Sequence, residues 1–132
     1  MDYRIFPPEE ILETAVLLPL SKSISARALV MSALGSERPD AVAVCADTEA
    51  MSAALGSNDG NINIGAAGTA MRFLTAYYAS QPGRTVTLDG CERMRQRPIG
   101  ALVDTLRRLG AEIEYVGAEG YPPLKISGKR LA

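Results

Sequence analysis

Glycine and proline cut this sequence into short segments in which the apolar period switches between two and about 3.6, the periods of strands and helices. Thr14 to Leu18 is an apolar, partly β-branched run ending at Pro19, which predicts a strand leading into a turn. From Lys22 to Leu34, Ile24, Ala28, Met31 and Leu34 recur at helical spacing, and Gly35 stands where a helix would stop. Val42 to Val44 reads as a strand, Asp47 to Leu55 as a short helix, and Gly56 to Gly60 as a turn. Ile62 and Ile64 mark a brief strand. Gly65 to Gly68 forms a small-residue turn before a helix from Thr69 to Ser80, which Gln81-Pro82-Gly83 ends. A strand follows at Thr85 to Leu88. Pro98 is placed at the first position of a third helix, with Ile99, Leu102, Val103, Leu106 and Leu109 facing inward and Gly110 ending it. Glu112 to Val116 and Leu124 to Ser127 read as closing strands around Gly120-Tyr121-Pro122-Pro123. The strand, turn, helix unit recurs three times without strict sequence repetition. This predicts an α/β or α+β layer, with helices packed on one face of a sheet.

The length of 132 residues suits one domain or a piece of a larger one. Hydrophobic residues at 47% and charged residues at 22% provide for a packed core and argue against disorder. Lys and Arg number 14 against 15 Asp and Glu, a net charge of -1, so no overall field attracts nucleic acid or an acidic membrane. Any anion site must be built locally. His is absent, which removes imidazole as base, nucleophile partner or zinc ligand. Cys45 and Cys91 lie far apart and signal neither a disulfide framework nor a metal knuckle. Residues 1–10 lack the apolar core of a signal peptide, and no run reaches the roughly 18 apolar residues of a membrane helix. The expected address is the cytoplasm.

The starts of the predicted helices carry the functional signal. A helix N-terminus has about half a positive charge and unpaired N–H groups, so acids are favoured and cations disfavoured there. Here the order is reversed. The first helix begins Lys22-Ser23-Ile24-Ser25 with Arg27 next, the second begins Thr69-Ala70-Met71-Arg72, and the third is entered through Arg93-Met94-Arg95-Gln96-Arg97. Cations so placed suit a bound phosphate or carboxylate, on which dipole, N–H donors and side-chain charge converge. Ser23 and Arg27 are four apart on one helix face and can reach one ligand group, while Lys22 points to a neighbouring face. A single such cation is ordinarily a solvated surface residue; it is Lys22, Ser23 and Arg27 together, and Arg97 beside a proline, that favour function. Arg72, Arg93 and Arg95 divide evenly between the two readings. Ser21 reads as an N-cap, Arg107 and Arg108 as favourable charges at a helix C-terminus, and Asp47 and Glu49 as helix-start acids.

Three segments, Leu18-Pro19-Leu20-Ser21-Lys22-Ser23-Ile24-Ser25-Ala26-Arg27-Ala28-Leu29, Gly68-Thr69-Ala70-Met71-Arg72 and Glu92-Arg93-Met94-Arg95-Gln96-Arg97-Pro98-Ile99-Gly100, resemble in order and spacing the N-terminal part of the EPSP synthases (3-phosphoshikimate 1-carboxyvinyltransferases). Gly120-Tyr121-Pro122-Pro123-Leu124 is similar to the same family, and the resemblance runs from about Leu12 to Gly128. It implies transfer of the enolpyruvyl group from phosphoenolpyruvate to the 5-hydroxyl of shikimate 3-phosphate with release of phosphate, a step of aromatic amino-acid and chorismate biosynthesis. It implies no metal and no organic cofactor. Carried over by motif, Lys22 would be catalytic and contact both substrates, Ser23 and Arg27 would hold shikimate 3-phosphate, and Gly68 and Arg97 would line the phosphoenolpyruvate site. Thr69 and Arg72 would support that pocket. The family fold is two-lobed and built of strand-helix repeats, so residues 1–20 would lead in from the other lobe and residues 21–132 would form part of the N-terminal substrate-binding lobe. The remaining C-terminal part, with the acid/base carboxylates, would be a required partner.

Two departures stand out. Ala66-Ala67-Gly68-Thr69 replaces the family's common Asn-Ala-Gly-Thr, so a side-chain amide is missing at position 66. The stretch from Asp47 to Gly65 is also shorter than in many members. An enolpyruvyl transferase acting on UDP-N-acetylglucosamine is the alternative enzyme, disfavoured because its first motif is expected to differ from Ser21-Lys22-Ser23. A non-catalytic phosphate-ligand binding module and a purely structural domain are the alternatives outside enzymes.

Overall fold

Alternating apolar residues in four short strands place one sheet face in the core and leave the other polar. The computed structural model describes residues 2–11 and 13–132. Its elements in chain order are α1 (Lys22–Ala33), α2 (Ala46–Gly56), β1 (Asn61–Asn63), α3 (Gly68–Ala79), β2 (Thr85–Asp89), α4 (Glu92–Arg95), α5 (Gly100–Arg108), β3 (Glu112–Tyr115) and β4 (Leu124–Ser127). The strands lie in the order β1, β2, β4, β3, with β1 and β2 parallel and the other pairs antiparallel. A parallel pair needs a crossover, and α3 supplies it. Ile62, Val86, Leu88, Leu124, Ile126 and Ile113 point to the buried face, while Asn61, Thr87, Lys125 and Glu114 lie on the opposite one. The mixed sheet covered by helices on one face is the α/β layer that the sequence predicts.

The central helix α3 is the hub of the core. Ala70, Met71, Leu74, Thr75, Tyr78 and Ala79 are buried along it, over the sheet and against α1, α2 and α5. Tyr78 donates from Oη to the Ala54 carbonyl of α2 at 2.6 Å, so its one polar atom is satisfied inside the core. Helices α1 and α5 end alike. Gly35 and Gly110 adopt positive φ, and the following residues, Ser36 and Ala111, donate back to Met31 and Leu106, which closes each last turn without strain.

Several sequence expectations are corrected. Thr14 to Leu18 forms no strand, and Val16, Leu17 and Leu18 are exposed. A strand needs a neighbour for its backbone hydrogen bonds, and no strand of the described residues pairs with this run. Val42 to Val44 is likewise irregular: the Ala43 N–H goes to Ser25 Oγ at 2.8 Å and its carbonyl takes Thr48 Oγ1 at 2.6 Å, so side chains replace a ladder. Helix α1 turns Ser25, Ala26, Leu29 and Val30 inward, leaving Ile24, Met31 and Leu34 exposed. The third predicted helix begins later than expected. Pro98 precedes α5, Ile99 is its N-cap, and α4 is a separate helix. Of segment 1–20, Met1 and Leu12 lie outside the described residues. Among the described residues no helix is long and apolar enough to cross a membrane.

Truncating Leu74, which is fully buried at the centre of α3, tests this core. Leu74→Ala should lower the unfolding free energy by about 2–5 kcal/mol, read from denaturant midpoints.

Candidate functional site

The parallel pair β1 and β2 ends side by side, and the loops leaving the two strands carry most of the predicted site. Ile64 donates to the Asp89 carbonyl at 3.0 Å and Cys91 to the Gly65 carbonyl at 2.9 Å, which joins the two exits. One exit runs through Ala66 and Ala67 into α3, the other through α4 to Arg97 and Pro98. A crevice at the carboxyl ends of parallel strands is where open α/β sheets bind ligands.

Helix α3 begins at Gly68 with no acid in its first turn and no side-chain cap on its N–H groups. The Arg97 guanidinium packs directly over Gly68. A Cβ at position 68 would fall 2.7 Å from Arg97 Cζ, closer than real side chains come, so glycine permits this approach. Arg72 fixes the arrangement from the next turn of α3: it donates to the Gly68 carbonyl at 3.2 Å and to the Pro98 carbonyl at 3.1 Å. Gly68, Thr69, Arg72 and Arg97 then line one hollow of about 570 Å³ with Phe73, Ala76 and Leu102. Four residues that the sequence picked from two separate segments are thus brought together.

Helix α1 joins at the rim. Arg27 Cζ lies 5.7 Å from the centre of the Phe73 ring, a cation–π contact that carries the α1 cation to the wall of the α3 hollow. Arg27 also donates to the Ser23 backbone carbonyl at 2.9 Å, while Ser23 itself, one turn earlier on α1, is exposed. Ser21 caps α1, its side chain accepting from the Ile24 N–H. Lys22 lines a neighbouring hollow with Pro19, Leu20 and Val42 to Cys45, and its Nζ is 3.1 Å from Asp47 Oδ2. Asp47 and Glu49 occupy the first turn of α2, as expected of helix-start acids. The pairing of Asp47 with Lys22 has no sequence signal, because the two are 25 apart and on different helices.

The reading of Arg93 and Arg95 as helix-start cations is corrected. Both lie in the last turn of α4, where cations are favourable, and Glu92 occupies its first turn. Arg95 forks onto Asp89 through Nε at 3.0 Å and Nη2 at 2.5 Å, and Asp89 also takes the Gly90 N–H at 2.7 Å. The Arg95 guanidinium holds the Asp89 carboxyl below the usual carboxylate range, and the Gly90 N–H adds to the effect. Arg107 donates twice to the Ile113 carbonyl, the structural role expected near a helix end. Ser25 was not a candidate in the sequence, yet its buried hydroxyl ties Ser21 to Ala43 and seats the start of α1. Cys45, in the hollow with Lys22, has its thiol pKa lowered chiefly by hydrogen bonding to the Thr48 hydroxyl.

A family profile described as EPSP synthase (3-phosphoshikimate 1-carboxyvinyltransferase) matches residues 40–132. The 3-phosphoshikimate 1-carboxyvinyltransferase of Bacteroides fragilis is 53% identical over 133 residues, covering 99% of this chain and 32% of the relative. That of Bordetella pertussis is 41% identical over 96% of this chain and 34% of the relative. The chain therefore spans about a third of the length of the curated relatives it matches. In three dimensions it is similar to an EPSP synthase from Acinetobacter baumannii, with a TM-score of 0.74 at 22% identity over 86% of this chain and 32% of that one, which establishes the fold.

The Asp89–Arg95 fork supplies a pH test. The folded Asp89 pKa lies below its unfolded value, so its contribution to stability is present above the unfolded carboxylate pKa and is lost as pH falls through the lower folded value. Arg95→Gln should flatten stability against pH over the range just below about 4, measured by denaturation at stepped pH. An unchanged acid limb would refute the fork as the cause.

Proposed function

This chain belongs to the EPSP synthase family, and we propose that it supplies part of the site at which an enolpyruvyl group passes from phosphoenolpyruvate to shikimate 3-phosphate. The observation that carries this reading is the convergence of Gly68, Thr69, Arg72 and Arg97 on one hollow, with Arg27 held on Phe73 at its edge. Both substrates are multiply charged anions. At about 4 Å and an effective dielectric near 20, each cation–anion contact is worth roughly 4 kcal/mol before desolvation is subtracted.

The proposed roles combine the family motif with these positions. Arg97, laid over Gly68, takes the phosphate and carboxylate of phosphoenolpyruvate together with the unpaired N–H groups at the start of α3. Arg72 acts on this group through Gly68 and Pro98, and Thr69 lines the same wall. Ser23 and Arg27 hold shikimate 3-phosphate from α1. Lys22, which the family motif assigns to both substrates, lines a separate hollow in the unliganded chain and exchanges Asp47 for substrate oxygens when they bind. In the reaction the 5-hydroxyl oxygen bonds to C2 of phosphoenolpyruvate while a proton adds to its methylene carbon. The tetrahedral intermediate then loses phosphate and a methyl proton, restoring the enol double bond. The cations neutralise charge and fix the reactants in line.

Residues 21–132 belong to the substrate-binding lobe and residues 1–20 lead in from the other lobe. The exposure of Ile5, Phe6, Ile11, Leu17 and Leu18 supports this, because such a row of apolar side chains suits a surface that further chain covers. The acid/base carboxylates come from that further chain, so the 132 residues alone do not turn over. The proposed compartment is the cytoplasm.

Protein expressed from the whole reading frame that carries this segment should release phosphate from the two substrates together, while the 132-residue chain should not. Turnover by the chain alone would refute the partial-site reading. In that whole protein Arg27→Ala should weaken shikimate 3-phosphate binding by roughly 1.5–3 kcal/mol, measured by calorimetry. Tighter binding of UDP-N-acetylglucosamine than of shikimate 3-phosphate would overturn the substrate assignment. Gly68→Ala makes the Arg97 guanidinium swing aside from the start of α3 and should raise the KM for phosphoenolpyruvate severalfold, with shikimate 3-phosphate affinity little changed.

A further inference from the structure

Three arginines follow one another at alternate positions around α4, and the structure treats them differently. Arg95 turns to Asp89 and donates to both of its carboxylate oxygens. Arg93 and Arg97, four apart, turn to the other side and line a second hollow of about 410 Å³ with Ala66 and Met94. Among the described residues no carboxylate pairs with Arg93 or Arg97, and none lines this hollow. Arg97 thus stands between two hollows, one shared with Gly68 and Arg72 and one shared with Arg93.

Like charges facing one small space repel in the empty protein, and the repulsion is relieved when an anion enters between them. The hollow is built to hold this arrangement. Met94 is buried beneath it, the Asp89–Arg95 fork ties α4 to the end of β2, and the Arg97 guanidinium lies over Gly68. The opposite wall is Ala66, whose methyl group leaves the space open.

We propose that Arg93 and Arg97 form a second oxyanion site, beside the hollow of Gly68 and Arg72, that takes inorganic phosphate. The inference rests on the proposed reaction in one respect: phosphate is its released product, and the shared Arg97 gives the departing ion a path from the first hollow to the second. The ion is held by two guanidinium forks, each able to donate two N–H groups to its oxygens.

The test is titration of inorganic phosphate into the chain, followed through the arginine Nε–H resonances and by calorimetry. Arg93 and Arg97 should shift together on one binding curve. Arg93→Gln should weaken phosphate binding about tenfold, the scale of a charge-assisted hydrogen-bond pair. Ala66→Leu, which fills the hollow from the other wall, should weaken it as well, while Arg108→Gln on the exposed side of α5 should not. Shifts at Arg97 and Arg72 without Arg93, with Arg93→Gln binding normally, would overturn the second site and leave the proposed function standing. Failure of phosphate to move either Arg93 or Arg97 would overturn this site and also count against Arg97 as an oxyanion ligand.

Discussion

The site depends on one guanidinium, that of Arg72, which bridges two carbonyls 30 residues apart, those of Gly68 and Pro98. Backbone hydrogen bonds join the two loops where they leave the strands, and Arg72 joins them again farther out, at the start of α3 and at Pro98. The start of α3 lacks a side-chain cap, and the segment after α4 is a short run of exposed residues before Pro98. Bridging them from a rigid helix sets the distance between the α3 start and Arg97, and glycine at position 68 lets that distance be short. The rigidity comes from the core, since Met71 and Leu74 on either side of Arg72 and Phe73 are fully buried.

Charge balance explains why composition conceals the site. The chain is nearly neutral, yet acids and bases are distributed unequally along its helices. Lys22 meets Asp47, Arg95 meets Asp89, Lys129 meets Glu112, and Lys125 lies near Glu114. Arg27, Arg72, Arg93 and Arg97 have aromatic, carbonyl or open surroundings instead. Among the cations outside these ion pairs are Arg72, Arg93 and Arg97, which line the two hollows, and Arg27, which packs on the wall of one of them. An anion entering there meets field and donors already in place, which reduces the reorganisation that binding requires.

The helices and the closing strands were legible in the sequence because their signals are local: Ser21 before α1, Gly35 and Gly110 after their helices, and alternation in Val86, Leu88, Leu124 and Ile126. Thr14 to Leu18 and Val42 to Val44 misled because β propensity says nothing about whether a partner strand is present. Helix α4 has only four residues, too few to show a period, so the opposite directions of Arg93 and Arg95 were hidden. Lys22, Ser23, Arg27 and Arg97 stood out as candidates from charges near predicted helix starts, and Gly68 from the family motif alone. What only the fold supplies is their mutual arrangement: Arg27 on Phe73, Arg97 on Gly68, and Asp47 on Lys22.

The central claim is that the starts of α1 and α3, with Arg97, form one anion-binding surface. Its most direct test is to titrate shikimate 3-phosphate and phosphoenolpyruvate into the chain while following backbone amide resonances. The account predicts concerted shifts at Ser23, Arg27, Gly68, Thr69 and Arg97. Shifts confined to another surface, such as the hollow of Leu29, Arg38 and Ser52 between α1 and α2, would contradict it.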